Sequence, residues 1–344
     1  MPYKVVGAIG FEPTTSWSRT KRSSQSEPRP ENVNYNRRDA KRKHRFPSFG
    51  KTNTSLFQGL KNRCRKKMFR LSFAAMTNTI AAVTIMGVVE GVTEFLPVSS
   101  TGHLLIAEQL LRVKFSDLFN IVIQSGAVLA VLPLFRKRLA QFIFQGREKA
   151  TQLYAAKIVL AFIITGIGGF LLKQGGLKLP ENALPIAAAL FVGGLGFIAV
   201  EMWLKGRAQT SVVTWNVAVA VGLAQLLAAV FPGTSRSGAS ILFALLLGMG
   251  RPAATEFSFL VGIPTMLAAG GYEIFHKLHH LVPGAPPEDW TLVIVGTIVS
   301  AIVSFVVVKW LLGYVQTHTF IAFGWYRILV AALLLGLLLA GIIT

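Results

Sequence analysis

Two short stretches of the sequence place acidic, basic and hydroxyl residues inside long apolar regions. In the first stretch, Glu90 and Glu94 are four positions apart, so a helix would present both carboxylates on one face. Pro97 would end that helix, because proline cannot continue its hydrogen-bond ladder. Two carboxylates arranged in this way would hold a divalent cation.

A run of hydroxyl residues follows that proline, namely Ser99, Ser100 and Thr101. These hydroxyls and the free backbone N–H groups beside them lie where the next helix should begin, which suits a phosphate. His103 would lie in the first turn of that helix. Taken alone, His103 is equally well interpreted as a satisfied buried histidine. For Ser100 or Ser235 alone, helix capping is the favoured interpretation. The chemical interpretation therefore depends on the whole group.

The second stretch, residues 232–238, adds a cation. Its predicted phosphate-binding residues are Gly233, Thr234, Ser235 and Ser237, around Arg236. The arginine and the loop donors would hold phosphoryl oxygens while a hydroxyl or a water attacks. A structural alternative is that Arg236 only neutralises a glutamate and joins the two stretches.

The surrounding chain has the composition of a membrane protein, since 52% of its 344 residues are hydrophobic. Apolar runs of spanning length are predicted at residues 118–135, 154–172, 182–204, 256–275, 290–312 and 321–343. The two chemical stretches instead interrupt longer apolar regions, residues 79–111 and 215–250. Non-helical backbone at membrane depth must be buried in protein or line a wet cavity. We therefore expect two re-entrant helical hairpins.

An ionisable residue inside a membrane costs about 2.5–3.5 kcal/mol. Unpaired, Glu90, Glu94 and Arg236 would together cost on the order of 8–10 kcal/mol. Such groups are retained when they pair with each other or perform a function. The combination of two carboxylates, a histidine, an arginine and two hydroxyl-rich loops therefore predicts a phosphate site.

The two halves of the apolar region resemble each other. Pro97-Val-Ser-Ser aligns with Pro232-Gly-Thr-Ser, which pairs Ser100 with Ser235, and three spans follow each interruption. A hairpin adds no net crossing, whereas three spans reverse the chain, so the second half would be inverted. The predicted fold class is an all-α polytopic membrane protein. It would be an inverted repeat, each half a re-entrant helical hairpin plus three transmembrane helices, with both interruptions near the midplane.

Charged loops predict the orientation. The basic residues after the first and third spans are Arg136, Lys137, Arg138, Arg147, Lys149, Lys205 and Arg207. Both loops should be cytoplasmic, which puts the acidic loop 277–289 outside. The first hairpin would then enter from outside and the second from inside. We expect the histidines of this region, His276, His279 and His280, to lie in a solvated external loop rather than to bind metal.

The net charge of +20 belongs mostly to residues 1–75, which hold 18 Lys/Arg and 4 Asp/Glu. This segment is predicted to be a basic disordered N-terminal extension, separate from a membrane-embedded catalytic domain at 76–344. It could be an arm that binds nucleic acid or anionic lipid, a neutral tail, or the result of a misassigned start, with Met76 as the first residue. We favour the last, because its charge would otherwise lie on the outer side. The single Cys64 leaves no internal disulfide.

Residues 90–103, EGVTEFLPVSSTGH, and 232–238, PGTSRSG, resemble the two signature motifs of the bacitracin-resistance type of undecaprenyl-diphosphate phosphatase. Residues 117–119, 124–126, 254–260, 263–264 and 323–328 are also similar to that family. The resemblance covers about residues 78–343. It implies a plasma-membrane enzyme that hydrolyses undecaprenyl diphosphate to undecaprenyl phosphate, recycling the carrier of cell-wall precursors. It also implies a divalent cation, Mg²⁺ or Ca²⁺, and a site reached from the outer leaflet.

Carried over to this sequence, Glu90 and Glu94 match the family's acidic pair and cation ligands. Ser100, His103 and Arg236 match its hydroxyl, histidine and phosphate-binding arginine. The sequence leaves open whether Ser100, His103 or water is the nucleophile, and it does not give the oligomeric state.

Three other functions compete with this prediction. A lipid flippase or transporter could share the inverted-repeat architecture. An acid-phosphatase-like lipid phosphatase would need a Lys-x6-Arg-Pro stretch and a second His with Asp, and the sequence has neither. A nucleic-acid binder would rest on the basic tail alone, so the predicted partners are the bilayer and a lipid substrate, without nucleic acid.

Overall fold

A computed structural model describes residues 79–175, 183–279 and 288–343, and these ranges are helical, without a strand. The helices are α1 Thr79–Thr93, α2 Ser100–Leu111, α3 Asp117–Val131, α4 Arg136–Phe144, α5 Lys149–Gln174, α6 Ala183–Leu204, α7 Trp215–Val230, α8 Arg236–Leu246, α9 Arg251–His279, α10 Trp290–Thr317 and α11 Ile321–Leu339. The predicted extension at residues 1–75 and His280 lie outside the described residues.

Within the described ranges, six segments are long and apolar enough to cross a membrane, which confirms the predicted number of spans. They are Asp117–Phe144, Lys149–Leu172, Ala183–Leu204, Arg251–His276, Trp290–Thr317 and Ile321–Leu339. Both predicted interruptions are also present, between α1 and α2 and between α7 and α8. The fold is therefore an all-helical, multi-spanning one in which two apolar regions are broken.

The prediction was wrong about where some spans end. The basic residues Arg136, Lys137 and Arg138 lie in α4 rather than in a loop. A 3-10 turn, Leu132–Phe135, carries its proline in the first positions, where the missing N–H costs no hydrogen bond, so the helical path continues. His276 and His279 likewise lie in the last turns of α9 and not in a loop.

The first residue of α9, which begins five residues before the predicted span, forms an ion pair with α6. The Nη2 atom of Arg251, at the first position of α9, lies 2.6 Å from Oε2 of Glu201 on α6, and the side chain of Glu201 is fully buried. Oε1 of the same glutamate accepts a hydrogen bond from the backbone N–H of Phe320. Glu201 therefore ties α6, α9 and the start of α11 together.

Helices that are distant in sequence pack against each other. α6 contacts α11, α3 contacts α10 and α9, and α5 contacts α7. Glycines allow close approaches between helices: a Cβ added at Gly87 on α1 would lie 2.8 Å from the carbonyl oxygen of Gly296 on α10. A Cβ at Gly222 on α7 would lie 3.0 Å from the carbonyl oxygen of Ala161 on α5. Small residues of this kind bring membrane helices close together.

Candidate active site

Each interruption ends in a serine whose backbone has a positive φ. Ser99 precedes α2 with φ 74°, and Ser235 precedes α8 with φ 68°. Such values are uncommon for residues other than glycine and often occur at functional sites. The structure thus equates Ser99, not Ser100, with Ser235, and corrects the predicted alignment by one position. The reason is that the second break has one residue more between its proline and its cap.

The carboxylate of Glu94 is where the two interruptions meet. Oγ of Ser100 donates a hydrogen bond of 2.7 Å to Oε2 of Glu94. Nη2 of Arg236 donates to Oε1 of the same residue at 3.2 Å, and the Glu94 side chain is almost completely buried. Nε2 of Gln124, on α3, donates to Oε2 at 3.2 Å. The predicted acidic residue, hydroxyl and arginine therefore form one cluster.

Ser237 links the second interruption to the backbone of the first through a hydrogen bond. Its Oγ donates to the carbonyl oxygen of Leu96 at 3.1 Å and lies 3.2 Å from Oγ of Ser235. Oγ of Ser235 accepts a bond from the N–H of Gly238, so this serine caps α8 with its side chain. Ser235 and Ser237 thus hold the loop in shape, as well as being candidates for phosphate binding.

His103 has a hydrogen-bond partner on both ring nitrogens. Nδ1 lies 2.7 Å from the carbonyl oxygen of Ser99, and Nε2 lies 2.8 Å from the hydroxyl of Tyr326 on α11. A carbonyl only accepts, so Nδ1 must carry the hydrogen, and Nε2 of a neutral ring then accepts from Tyr326. In this state the histidine fixes the backbone of the first interruption.

Arg327 on α11, to which the sequence analysis gave no role, donates hydrogen bonds to the backbone of both interruptions. Its guanidinium is fully buried and donates to Pro97 O at 3.1 Å, Gly233 O at 3.2 Å and Thr234 O at 3.0 Å. It also donates to carbonyl oxygens at the middle of α6. A buried charge needs a full set of such partners. Arg327 therefore links the two loops to α6.

A cavity opens between the two interruptions. The predicted residues that line it are Glu94, Ser99, Ser100, Thr101, Gly233, Ser235 and Arg236. Residues without an earlier assignment also line it: Gln124, Thr165, Gln225 and Thr265, with the apolar Ala228, Ala229, Met266 and Ala269. The lining does not include Glu90, His103, Thr234 or Ser237. A sequence signal for the new polar residues existed, because each interrupts an apolar run.

Glu90 lies one helical turn before Glu94 and is also buried. Within the part of the chain that the structure describes, its Oε2 atom has no hydrogen-bond partner, and no group of three His, Cys, Asp or Glu residues forms a metal site. A hard cation needs only one or two protein carboxylates when substrate phosphates and waters complete its shell. Of the two predicted cation ligands, only Glu94 lines the cavity, and Glu90 lies buried one helical turn away from it.

These features define a class: a multi-spanning helical membrane protein whose two broken apolar regions meet at a charged, hydroxyl-lined cavity suited to an anion. Residues 83–333 match the family model described as "Bacitracin resistance protein BacA", and the chain belongs to this family. It is 52% identical to an undecaprenyl-diphosphatase of Rhizobium etli over 260 residues, 75% of this chain and 97% of the relative. It is 48% identical to an undecaprenyl-diphosphatase of Xanthomonas campestris over 261 residues, 76% of this chain and 98% of the relative.

Proposed function

We propose that this chain is an integral-membrane phosphatase that hydrolyses undecaprenyl diphosphate to undecaprenyl phosphate and inorganic phosphate. This reaction would recycle the lipid carrier of cell-wall synthesis and is the activity named for the relatives. The single observation that carries the proposal is the meeting of Ser100 and Arg236 on the carboxylate of Glu94, at the wall of a buried cavity.

The cluster supplies the parts that phosphoryl transfer needs. Arg236 uses only Nη2 on Glu94, so the rest of its guanidinium is able to bind phosphoryl oxygens, with the loop of Gly233 and Ser235 beside it. Ser100 gives its hydrogen bond to Glu94, the arrangement of a hydroxyl nucleophile with a base. Ser99 and Thr101 flank it in the lining.

Attack on the terminal phosphorus by Oγ of Ser100, or by a water at the same carboxylate, would break the bond to the bridging oxygen. Undecaprenyl phosphate would leave with that oxygen, and Glu94 would take the proton of the nucleophile. On the Ser100 route, a water then hydrolyses the phosphoserine and releases inorganic phosphate. Glu90 and Glu94 are the proposed ligands of a divalent cation, Mg²⁺ or Ca²⁺. When bound, that cation would neutralise phosphoryl charge.

The inverted repeat belongs to the same proposal. Gly87 of α1 and Gly222 of α7 are 135 residues apart, as are Pro97 and Pro232. Gly87 packs on Gly296 of α10, and Gly222 packs on Ala161 of α5. These two partners are also 135 residues apart. Each broken region thus packs its glycine on the second long helix of the other half. This exchange of partners supports two equivalent halves related by a two-fold axis in the membrane plane, each with a re-entrant hairpin.

We place the protein in the bacterial inner membrane as a multi-pass protein, in line with its six apolar helices and its bacterial relatives. The basic residues of α4 and of the segment after α6 would face the cytoplasm. The cavity would then receive its substrate from the outer leaflet.

Phosphate release from undecaprenyl diphosphate by the purified, reconstituted protein tests the function. We expect turnover that a chelator abolishes and that Mg²⁺ or Ca²⁺ restores. A flippase of the same architecture would release no phosphate from substrate in detergent. Absence of turnover with every divalent cation tried would therefore contradict the proposal.

A further inference from the structure

Gln225 is a buried amide on α7, in the second broken region. It is 1% exposed, and it lines the same cavity as Glu94, Ser100 and Arg236. Among the described residues, neither Nε2 nor Oε1 of Gln225 has a hydrogen-bond partner. An amide buried without hydrogen-bond partners destabilises the folded protein, so such a group calls for an explanation.

The other newly found polar residues of the lining are already satisfied by the protein. Nε2 of Gln124 donates to Glu94 at 3.2 Å. Oγ1 of Thr165 donates to the carbonyl oxygen of Ala161 at 2.9 Å, and Oγ1 of Thr265 donates to that of Val261 at 2.8 Å. Several other buried polar atoms lack partners, among them Oγ of Ser258, but they do not line the cavity. Gln225 both lines the cavity and lacks a hydrogen-bond partner among the described residues.

The position of Gln225 corresponds to that of Glu90 in the other half of the molecule. The two residues are 135 positions apart, the same separation as Gly87 and Gly222, each of which lies three residues earlier. One half therefore carries a carboxylate at this site and the other a neutral amide of the same shape. A carboxylate attracts cations and repels phosphate, whereas an amide N–H donates to phosphoryl oxygens.

We infer that Gln225 binds the substrate directly, with Nε2 donating a hydrogen bond to a phosphoryl oxygen of the lipid diphosphate. This inference rests on the proposed function and deepens it. Gln225 and Arg236, both in the second broken region, would then hold phosphoryl oxygens, while the first broken region supplies the carboxylates that are proposed to hold the cation. The headgroup then bridges the two broken regions.

The test uses Gln225→Leu and Gln225→Glu in the full-length reconstituted protein. Leucine keeps the bulk without the donor, and glutamate keeps the shape but adds a negative charge. Ser258→Ala is the matched control, because it removes a buried, unpartnered polar atom outside the cavity. For each variant, kcat and KM for undecaprenyl diphosphate, inhibition by inorganic pyrophosphate, and the thermal midpoint are measured.

We expect Gln225→Leu to lower kcat/KM about 10- to 100-fold, as for the loss of a hydrogen bond to a charged group, and to weaken pyrophosphate inhibition. Gln225→Glu should lose more in both measurements, while Ser258→Ala stays near wild type. Gln225→Leu and Ser258→Ala should keep the wild-type thermal midpoint within a few degrees, whereas Gln225→Glu should lower it because it buries a carboxyl group. If Gln225→Leu does not fold, the Gln225→Glu variant decides alone.

A Gln225→Glu enzyme with full turnover would overturn the inference. So would a Gln225→Leu enzyme whose pyrophosphate inhibition is unchanged, because the side chain would then not contact the headgroup. Wild-type protein that releases no phosphate would instead refute the proposed function, and the inference would fall with it.

Discussion

Ser100 and Arg236 bind opposite oxygens of one carboxylate, that of Glu94. Each is the first residue of a short helix, α2 or α8, that begins after a break in an apolar region. The N-terminus of a helix favours anions, because its backbone N–H groups are unpaired and its dipole is positive there. Two such ends therefore converge on a single negative charge, and a phosphoryl group would share this environment.

The two glutamates should respond differently to substitution. Glu90→Gln and Glu94→Gln should each reduce phosphate release at least about 100-fold, because each removes a carboxylate at the proposed cation site. Glu94→Gln should also lower the thermal midpoint, since it breaks a buried ion pair with Arg236. Glu90→Gln should lower it less, because no ion pair of Glu90 is found among the described residues. Turnover assays and thermal unfolding test the two variants, with the exposed Glu148→Gln as control. Wild-type turnover in both variants would contradict the assignment of Glu90 and Glu94 to the active site.

Arg236 distinguishes binding of phosphate from simple charge pairing. Arg236→Lys keeps the charge but loses the planar fork of donors, so it should insert normally and lose most of its turnover. Arg236→Ala should lose still more turnover, because the carboxylate of Glu94 would then be buried without the guanidinium that pairs with it. If the arginine were only a counter-ion, lysine would support full turnover and alanine would mainly lower stability. Phosphate release and the thermal midpoint of both variants separate these cases.

Tyr326 and His103 form a chain of hydrogen bonds that ends at the carbonyl oxygen of Ser99, a residue with a positive φ. His103→Ala removes the hydrogen bond to the Ser99 carbonyl, so turnover should fall about 10- to 100-fold as the positive-φ serine relaxes. Tyr326→Phe keeps the ring stacked on His103 and leaves that bond intact, so it should lose less than about fivefold. Steady-state kinetics of the two variants provide the check. An equal loss in both would instead indicate that the tyrosine hydroxyl itself takes part in catalysis.

Arg327 should matter for folding as much as for turnover. Arg327→Met would leave carbonyl oxygens of both interruptions without their donor, each at a cost of about 1–3 kcal/mol. We expect a thermal midpoint lowered by several degrees and little remaining activity, while Lys205→Ala on the surface changes neither. Arg327→Lys should recover only part of both, since an ammonium has three donors for five acceptors. An Arg327→Met protein with wild-type stability would contradict this role.

The sequence was sufficient to predict the six spans, the two breaks and a site shared by the glutamates and Arg236, but not which glutamate pairs with the arginine. The reason is that charge and proline inside apolar runs are costly and therefore conspicuous. It was not sufficient to predict Gln124, Gln225 or Arg327, because their roles depend on helices that approach from distant parts of the chain. The register of Ser99 with Ser235 was missed because one additional loop residue shifts the second helix start. The site residues' chemical roles remain predictions.

The hydrogen bond from Nη1 of Arg327 to the carbonyl of Pro97 spans 230 positions of the chain. It has a consequence for biogenesis. The ribosome completes the first interruption early, but the side chain that secures it arrives only with α11, the last described helix. A nascent chain that has inserted only its first half thus contains Glu90, Glu94 and the first interruption, but lacks Arg236, which pairs with Glu94, and Arg327, which bonds to Pro97. Assembly of the site must therefore wait until α11 has been synthesised.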